Sequence, residues 1–230
     1  MNILAIIPAR QGSVRVPGKN LRQLGDKPLI HWTILAAQGI SEIKRVFVST
    51  DSEEIRDSAL SLGLSIPMLR PEELARNESP SIDVVTHTIN FFSSIGENYD
   101  YVLLLQPTSP FRTKEHIQEA IELLKTKKAD GIVSVTKCSH SPLWTNQLPE
   151  NMSMDNFLNK EYKNVRSQDL PTFYKLNGAI YIANTKKILK ENSLILEKNC
   201  FAYVMDDVSS LDIDNELDLL IAESLLKTLQ

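Results

Sequence analysis

One stretch near the start of the chain decides its fold: Ile6-Ile7-Pro8-Ala9-Arg10-Gln11-Gly12-Ser13-Val14-Arg15-Val16-Pro17-Gly18-Lys19-Asn20. It follows a short apolar run, Ile3–Ile7, that predicts a buried strand, and it precedes a helical pattern over Pro28–Gln38. The stretch is therefore a loop at the carboxyl end of a first strand. In an open α/β sheet, ligands bind at that edge.

The loop alternates cations with small residues: Arg10, Arg15 and Lys19 with Gly12, Ser13 and Gly18. Glycine lets the backbone approach a ligand closely, and exposed N–H groups together with cations suit a polyphosphate. Arginine adds forked contacts and lysine a point charge. The alternative is a solvated basic loop without a ligand. Because neither GxxxxGK[ST] nor GxGxxG occurs here, neither a Walker loop nor a dinucleotide-binding fold is favoured.

Composition limits the classes of protein that fit. The 230 residues are enough for one α/β domain with an added arm, and 42% hydrophobic and 23% charged residues are typical of a soluble globular protein. A net charge of −4 predicts no general nucleic-acid binding. The apolar run before Pro8 is too short for a signal or a membrane span. Cys138 and Cys200 lack metal spacing, and two thiols fit a reducing cytosol.

Short apolar runs alternate with helical patterns. The predicted strands are Ile3–Ile7, Val46–Ser49, Val102–Leu105, Ile132–Val135, Ala179–Ala183 and Phe201–Met205. The predicted helices are Pro28–Gln38, Glu53–Leu62, Ile82–Phe92, Glu115–Lys125 and Asn215–Leu229. This alternation predicts an α/β fold with a mostly parallel, Rossmann-like sheet and helices on both faces, in a single domain over residues 1–230. The aperiodic stretch Lys137–Lys175 predicts a functional segment or an interaction arm.

Two helix starts carry polar residues near the ligand edge. Asp51 or Ser52 is the expected N-cap of the second helix. Ser81 precedes the Ile82–Phe92 helix, where it either caps the helix or contacts a ligand beside the free N–H groups, and the two roles are compatible. A lone arginine before proline, such as Arg70, is usually a surface residue.

A second motif is Leu103-Leu104-Leu105-Gln106-Pro107-Thr108-Ser109-Pro110-Phe111-Arg112. A buried strand stops at Gln106, and two prolines then force an extended turn. The Gln106 amide donates and accepts at once, which suits a sugar that bears hydroxyl and amide groups. The alternative is an amide that stabilises the turn. Arg112 either binds a carboxylate or orders the turn.

Two carboxylates stand two residues apart in Ser210-Leu211-Asp212-Ile213-Asp214-Asn215, just before the last helix. In an extended segment Asp212 and Asp214 point to the same side. Such a pair holds Mg²⁺ through oxygen ligands that are completed by water and phosphate. The alternative is helix capping, because aspartate is a favoured N-cap and acids are favoured in a first turn.

Together these motifs resemble the cytidylyltransferases that activate nine-carbon acidic sugars, the CMP-sialic acid synthetase family. The resemblance runs from residue 2 to about residue 226 and includes a third block, Arg166-Ser167-Gln168-Asp169-Leu170-Pro171 with Lys175-Leu176-Asn177-Gly178-Ala179-Ile180-Tyr181. It implies the nucleotide-diphospho-sugar transferase fold and a reaction of CTP with a nonulosonic acid that gives a CMP-sugar and pyrophosphate. It also implies Mg²⁺ as cofactor and a cytoplasmic homodimer, with an arm within residues 137–200 that covers the partner's sugar site.

The resemblance also implies roles for individual residues. The nucleotide-binding residues would be Ala9, Arg10, Gly12, Ser13, Arg15, Lys19, Asn20, Arg70 and Ser81. The sugar-binding residues would be Gln106, Thr108, Ser109, Arg112, Arg166, Lys175, Asn177 and Tyr181. Asp212 and Asp214 would bind the metal, and Arg10, Arg15, Lys19 and Asp212 would be catalytic. Without the resemblance, Asn177-Gly178 before a strand is only a turn.

Three positions depart from the family pattern. Many sialate members carry Lys where this chain has Val14, and Arg15 beside it resembles instead the cytidylyltransferases of the eight-carbon acid Kdo. Lys175 replaces a frequent Arg, which keeps the charge but loses the fork. Residues 193–195 replace a Phe pair of some members, which leaves legionaminic or pseudaminic acid open as the substrate.

Other classes of protein are disfavoured but remain as alternatives. These are a Kdo-type synthetase, a non-catalytic nucleotide-binding relative and a sugar-1-phosphate nucleotidyltransferase. A non-catalytic relative could lose the acids, and retention of Asp212 and Asp214 argues against it. The Gln106 motif and the Asp-Ile-Asp context argue against the third.

Overall fold

The computed structural model describes residues 1–13 and 15–229. The strands are β1 (Ile3–Pro8), β2 (Gln23–Leu24), β3 (Lys27–Pro28), β4 (Ile43–Ser49), β5 (Tyr101–Leu104), β6 (Gly131–Lys137), β7 (Tyr174–Asn184) and β8 (Cys200–Val204). The helices are α1 (Leu29–Ala37), α2 (Glu53–Leu60), α3 (Ser81–Ser94), α4 (Lys114–Lys127), α5 (Thr185–Glu191) and α6 (Glu216–Leu229). Every predicted strand and helix has a counterpart, and the sequence patterns missed α5 and the short β2–β3 pair.

Six strands form one sheet in the order β4-β1-β5-β7-β6-β8. Strand β1 pairs in parallel with β4 and β5, and β6 pairs in parallel with β8. Strand β7 runs antiparallel to both of its neighbours, β5 and β6. The mostly parallel sheet is confirmed, with β7 as the exception. Its direction follows from its connection, because residues 138–173 return the chain beside β6 as a long hairpin, with Lys137 paired to Tyr174.

Both faces of the sheet are covered. On β1, Ile3, Ala5 and Ile7 pack with residues of α1, α2 and α4, whereas Leu4 and Ile6 pack with residues of α3 and α5. A strand buried on both faces reads as a continuous apolar run, which is why the β1 sequence does not alternate. This packing brings the loops after β1, β4 and β5 to the same edge.

The starts of two helices differ in how well the sequence predicted them. Ser52 is the N-cap of α2, and its hydroxyl accepts from the Ile55 amide at 3.4 Å. Ser81 is not an N-cap, because α3 begins at Ser81 and Pro80 occupies the capping position without a side-chain bond. The exposed Ser81 hydroxyl therefore makes no capping bond.

The Asn177-Gly178 pair lies inside a strand rather than in a turn before one. Val133 pairs with Tyr181 and Val135 with Leu176, so a single β6 residue between them faces residues 177–180 of β7. Gly178 has a φ of 75°, which L side chains rarely adopt. The pair therefore forms a bulge, and β7 extends on both sides of it, beyond the predicted Ala179–Ala183.

The aperiodic segment between β6 and β7 contains two short 3-10 turns, Pro142–Trp144 and Ser167–Asp169. Several large apolar side chains in and beside it are exposed, among them Leu148, Met152, Met154, Tyr174 and Leu176. Among the described residues, no helix combines the length and apolar character needed to cross a membrane.

Candidate functional site

A cavity of about 440 Å³ opens at the carboxyl ends of β1 and β5. Four segments supply its walls: the loop after β1, residues 70–84, the loop after β5, and an acidic loop that we define as residues 210–215. The predicted site residues that line it are Arg10, Ser13, Arg15, Lys19, Asn20, Arg70, Ser81, Gln106, Thr108, Asp212 and Asp214. The fold therefore brings together the three strongest sequence motifs at one place.

The cations of the first loop are held in different ways. Lys19 is 11% exposed, and its Nζ donates to the Ile213 carbonyl at 2.7 Å and lies 3.5 Å from Asp214 Oδ1. Arg15 is 68% exposed and pairs with Asp214 Oδ2 at 3.0 Å. The lysine is mostly buried and held by two contacts, whereas the arginine is mostly exposed and held by one ion pair. Val14, the neighbouring departure from the family pattern, lies outside the described residues.

The backbone of the first loop is tied down by polar side chains. Asn20 is buried and donates to the Arg10 carbonyl at 2.9 Å. Asp51, freed from capping by Ser52, accepts from the Gln11 amide at 2.9 Å. Ala9 and Gly12, also predicted to bind nucleotide, belong to this loop but do not line the cavity.

Arg70 brings a buried cation to the cavity. Its Nε donates to the Ser49 hydroxyl at 3.1 Å, and Nη2 donates to the Ser49 carbonyl. Burial lowers the pKa of Arg70 to about 10, the Asp51 charge opposes that shift, and the Arg10 charge adds to it. Arg70 is nevertheless protonated at neutral pH. A buried positive charge that bonds to neutral acceptors gains from an anion beside it.

The two acids of the acidic loop are positioned by the residue between them. Ile213 is fully buried against α6 and β2, and its amide donates to the Thr108 carbonyl at 2.8 Å. Asp212 and Asp214 on either side of it both line the cavity. Capping of α6 falls to other residues, because Asp218 Oδ2 accepts from the Asp214 and Asn215 amides. Capping therefore does not explain either acid.

The environment of Asp212 fits a cation ligand. Burial raises the pKa of Asp212, the Asp214 charge adds to that rise, and Thr108 and Lys19 oppose it. Its Oδ1 is buried and has no hydrogen-bond partner among the described residues. No group of three His, Cys, Asp or Glu that could hold a metal occurs in the described part of the chain. The two carboxylates would therefore bind Mg²⁺ only together with phosphate and water oxygens.

The residues predicted to bind the sugar are less fully assembled. Gln106 and Thr108 line the cavity, and Gly178 lies against Gln106 so closely that a Cβ built on it would stand 2.5 Å from Oε1. Tyr181, on β7, is half-buried, and the pKa of its phenol is raised by burial and by the Asp212 charge. Tyr181 therefore lies near Asp212 but does not line the cavity.

Arg112 occupies a different place from the one implied for a sugar ligand. Its side chain is fully buried, with Nη1 donating to the Gln106 and Ala179 carbonyls at 3.2 and 3.0 Å and Nη2 donating to Thr33 at 2.7 Å. Burial lowers its pKa to about 9. In the structure, Arg112 therefore orders the turn after β5, the second of its two predicted roles. The neighbouring Ser109 is also fully buried and off the cavity.

Three other predicted sugar ligands lie away from the cavity. The Asn177 carboxamide is buried and bonded inside the protein. Arg166 is exposed in the segment before β7 and pairs with Asp169 at 2.7 Å. Lys175 is exposed on β7. In the described chain, neither Arg166 nor Lys175 reaches the cavity.

Sequence reasoning missed a wall of the cavity formed by residues 71–80, which we call the flap. Leu74, Arg76, Asn77 and Ser79 line the cavity from it, and Val84 does so from α3. Asn77 Oδ1 accepts a hydrogen bond from Arg10 Nη1 across the opening. The available signal was a polar run between Arg70 and Ser81, two residues already predicted to lie at the site.

Comparisons with known proteins place this site in context. Residues 4–212 match a protein-family model described as Cytidylyltransferase. The chain is 41% identical to the CMP-N,N'-diacetyllegionaminic acid synthase of Legionella pneumophila, over 99% of this chain and 97% of the relative. It is 33% identical to the pseudaminic acid cytidylyltransferase of Campylobacter jejuni, over 99% and 97%. It is 38% identical to the N-acylneuraminate cytidylyltransferase of Escherichia coli, but that match covers 96% of this chain and only 51% of the relative.

Solved structures share the architecture at low sequence identity. A CMP:2-keto-3-deoxy-manno-octonic acid synthetase complexed with CTP superposes with a TM-score of 0.74 at 16% identity, over 100% of both chains. The 4-diphosphocytidyl-2C-methyl-D-erythritol synthase of Anaerococcus prevotii superposes with a TM-score of 0.66 at 17% identity, over 98% of both chains. These likenesses confirm the predicted fold class.

Proposed function

Because this chain belongs to the cytidylyltransferase family, we propose that it transfers the CMP group of CTP to a nonulosonic acid and releases pyrophosphate. One observation carries the proposal: five cations and two carboxylates share the walls of one cavity, on a chain whose net charge is −4. Cations suit a triphosphate, and paired acids suit the metal ion that accompanies it.

The reaction forms one bond and breaks another. The anomeric hydroxyl oxygen of the sugar bonds to the α-phosphorus of CTP, the α–β phosphoanhydride bond breaks, and the hydroxyl proton passes to solvent. Little covalent chemistry falls to the protein, so its work is positioning and charge stabilisation. The proton passes to solvent in this proposal because, among the residues that line the cavity, no side chain stands out as a dedicated base.

The cations neutralise the triphosphate in this proposal. Lys19, held by the Ile213 carbonyl, presents a fixed charge, and Arg10 is oriented by its bond to Asn77. Arg15 leaves Asp214 to contact the phosphates, since it is the most exposed of the three. Arg70 and Ser81 also line the cavity, and they are the proposed contacts of the nucleoside.

Asp212 and Asp214 are the proposed ligands of Mg²⁺, which when bound would polarise the α-phosphate and lower the pKa of the attacking hydroxyl. Two features of the chain support them as ligands, the unpartnered buried Oδ1 of Asp212 and the freedom of both acids from helix capping. Gln106 is the proposed ligand of the sugar.

We propose a legionaminic-type acid as the preferred sugar. The supporting observation is that the Legionella pneumophila relative matches at 41% identity over nearly the whole of both chains, whereas the sialate relatives are about twice as long.

We also propose a cytoplasmic homodimer, supported by two free thiols and by the exposed apolar residues around β7.

The test is pyrophosphate release with each of the four nucleoside triphosphates, Mg²⁺ and a panel of acidic sugars. The panel holds legionaminic, pseudaminic and N-acetylneuraminic acids together with Kdo. We expect turnover with CTP and fastest turnover with the legionaminic acid, and Asp212→Asn serves as the inactive control. Equal rates with UTP or ATP would refute the nucleotide assignment, and a preference for Kdo would refute the nonulosonate assignment.

A further inference from the structure

A hydrogen-bond network is centred on Asn177 in the bulge of β7. The side chain is 6% exposed. Its Oδ1 accepts from the Ser134 hydroxyl at 2.6 Å and from the Ala179 amide at 3.2 Å. Its Nδ2 donates to the Ser210 hydroxyl at 2.9 Å and lies 3.4 Å from the Met205 sulfur. Because a backbone amide only donates, the Ala179 contact identifies the side-chain oxygen.

The network holds the bulge together. Ser134, the one β6 residue that faces residues 177–180, also accepts from the Ile180 amide at 2.7 Å. Its hydroxyl thus replaces ladder bonds that the bulge disrupts. Bulges occur often beside active sites, where they re-aim side chains. Here the re-aimed side chain is Asn177, which leaves the strand pairing and reaches the acidic loop.

The bond to Ser210 connects the sheet to the proposed metal ligands. Ser210 stands two residues before Asp212 in the acidic loop. Asp212 Oδ1 is buried and unpartnered among the described residues, so that oxygen is not held by a bond of its own. Thr108 lies beside the same carboxyl group, so the place of Asp212 depends on that contact and on the loop, which is tied by the Ile213 amide to the Thr108 carbonyl and by the Ser210 hydroxyl to Asn177.

We infer that Asn177 is a positioning residue that sets the place of Asp212 in the cavity through its bond to Ser210, an inference that rests on the proposed function. Mispositioning by about 1 Å at a reacting site can cost about 10²-fold in rate. Loss of a restraint two residues from a proposed metal ligand should therefore slow the reaction, although Asn177 touches neither substrate.

This role differs from the one that the family resemblance implies, in which Asn177 binds the sugar. The carboxamide offers two donors and two acceptor sites, and all four face protein atoms. A sugar contact would require one of those buried bonds to break. Asn177 is also not among the residues that line the cavity.

The test deletes the bond from the Ser210 side. Ser210→Ala removes one oxygen from a residue that does not line the cavity, and Ser209→Ala is the matched control. Ser209 is the buried neighbour, and its polar contacts are with Asp206 rather than with Asn177. Mn²⁺ binding in the presence of CTP is titrated by electron paramagnetic resonance, alongside kcat and the KM values for both substrates.

We expect Ser210→Ala to raise the half-saturating Mn²⁺ concentration by about three- to tenfold, the range of one neutral hydrogen bond. The kcat should fall and KM for the sugar should stay unchanged. Asn177→Ala should act in the same direction, and adding Ser210→Ala to it should produce no further shift in Mn²⁺ binding. Ser210→Thr, which keeps a hydroxyl, should bind Mn²⁺ nearly as the wild type does.

Two results would overturn the inference. One is Ser210→Ala behaving like Ser209→Ala in Mn²⁺ binding. The other is Asn177→Ala raising only KM for the sugar. Failure of the proposed function looks different, because the wild-type protein itself would then show neither CTP-dependent Mn²⁺ binding nor pyrophosphate release.

Discussion

Asp212 and Asp214 have different surroundings although two residues separate them. Asp214 pairs with Arg15 and Lys19, so its charge is already balanced. Asp212 is half-buried, and its Oδ1 is buried without a hydrogen-bond partner among the described residues. A carboxylate is costly to bury without a partner. We therefore expect Asp212 to serve the proposed metal ion rather than the stability of the fold.

Asp212→Asn should separate function from stability. The change keeps the shape and replaces the carboxylate with an amide, a poorer ligand for Mg²⁺ and a cheaper group to bury. We expect kcat to fall at least about 100-fold, since residues that only support metal ligands already cost about 10- to 100-fold. The midpoint of thermal unfolding should stay equal or rise. Near wild-type turnover across a Mg²⁺ titration would show that Asp212 is not a metal ligand.

Arg15 can be tested against a matched ion pair outside the cavity. Arg15→Ala should lower kcat/KM for CTP by about ten- to a hundredfold, because a hydrogen bond to a charged group contributes about 1.5–3 kcal/mol. Arg22 pairs with Glu216 at 3.2 Å across a similar sequence separation but lies off the cavity. Arg22→Ala should leave kcat/KM nearly unchanged.

A cation at the neighbouring position should compensate in part. Val14→Ala should be mild, and Val14→Lys in the Arg15→Ala background should recover some activity. Equal kinetics for Arg15→Ala and Arg22→Ala would identify Arg15 as a solvated loop charge.

Among the secondary-structure elements, β7 contributes most to the arrangement of the site. It is the only strand of the six-stranded sheet that runs antiparallel to both neighbours, and its bulge lies against two segments that line the cavity. Asn177 in the bulge contacts the acidic loop, and Gly178 contacts Gln106. One irregularity in one strand therefore contacts both the loop of the proposed metal ligands and the proposed sugar ligand.

Gly178→Ala tests the sugar side of this bulge. The residue has a φ of 75°, and an added Cβ would meet Gln106 Oε1 at 2.5 Å. Backbone strain should cost about 1–2 kcal/mol of unfolding free energy, and the displaced Gln106 should raise KM for the sugar. Gly63 is the control, since its φ is 78° and a Cβ there meets nothing within 4 Å.

Gly63→Ala should therefore lose similar stability in denaturant unfolding while keeping the wild-type KM for the sugar. If both variants lose similar stability and have the same KM for the sugar, Gly178 is needed only for the backbone conformation of the bulge.

For the chain as a whole, the exposed apolar surface around β7 predicts assembly. Tyr174 and Leu176 are each 53% exposed, and Met152 and Met154 in the adjoining segment are more exposed still. Exposed apolar clusters of this kind mark interaction sites, and most soluble oligomers are symmetric dimers. Light scattering should therefore give twice the 25.9 kDa of the chain.

A charge placed on this surface should dissociate the dimer. Leu176→Lys should shift the mass toward the monomer, whereas Leu60→Lys, at an exposed leucine of α2, should not. A monomeric wild type at micromolar concentration would contradict the prediction.

Much of this protein was determined by its sequence alone. Short apolar runs alternating with helical patterns determined the α/β sheet, because burial on both faces requires continuous apolar strands. The cation loop, the Gln106 motif and the acid pair could be located because each follows or precedes a predicted element. The cation loop and the Gln106 motif meet at one edge because β1 and β5 are parallel neighbours, whereas the acid pair joins them through the tertiary bond from the Ile213 amide to the Thr108 carbonyl.

Only the tertiary structure decided the other features. Arg112 turns inward because its acceptors, Ala179 and Thr33, come from distant segments. The sequence Asn177-Gly178 is typical of a turn, but in the structure the pair forms a bulge. The bulge depends on the register with β6, about 40 residues earlier in the chain. The flap wall and the bond from Asn177 to Ser210 likewise join residues far apart in the chain. Such contacts depend on how separate elements pack, which local propensity does not encode.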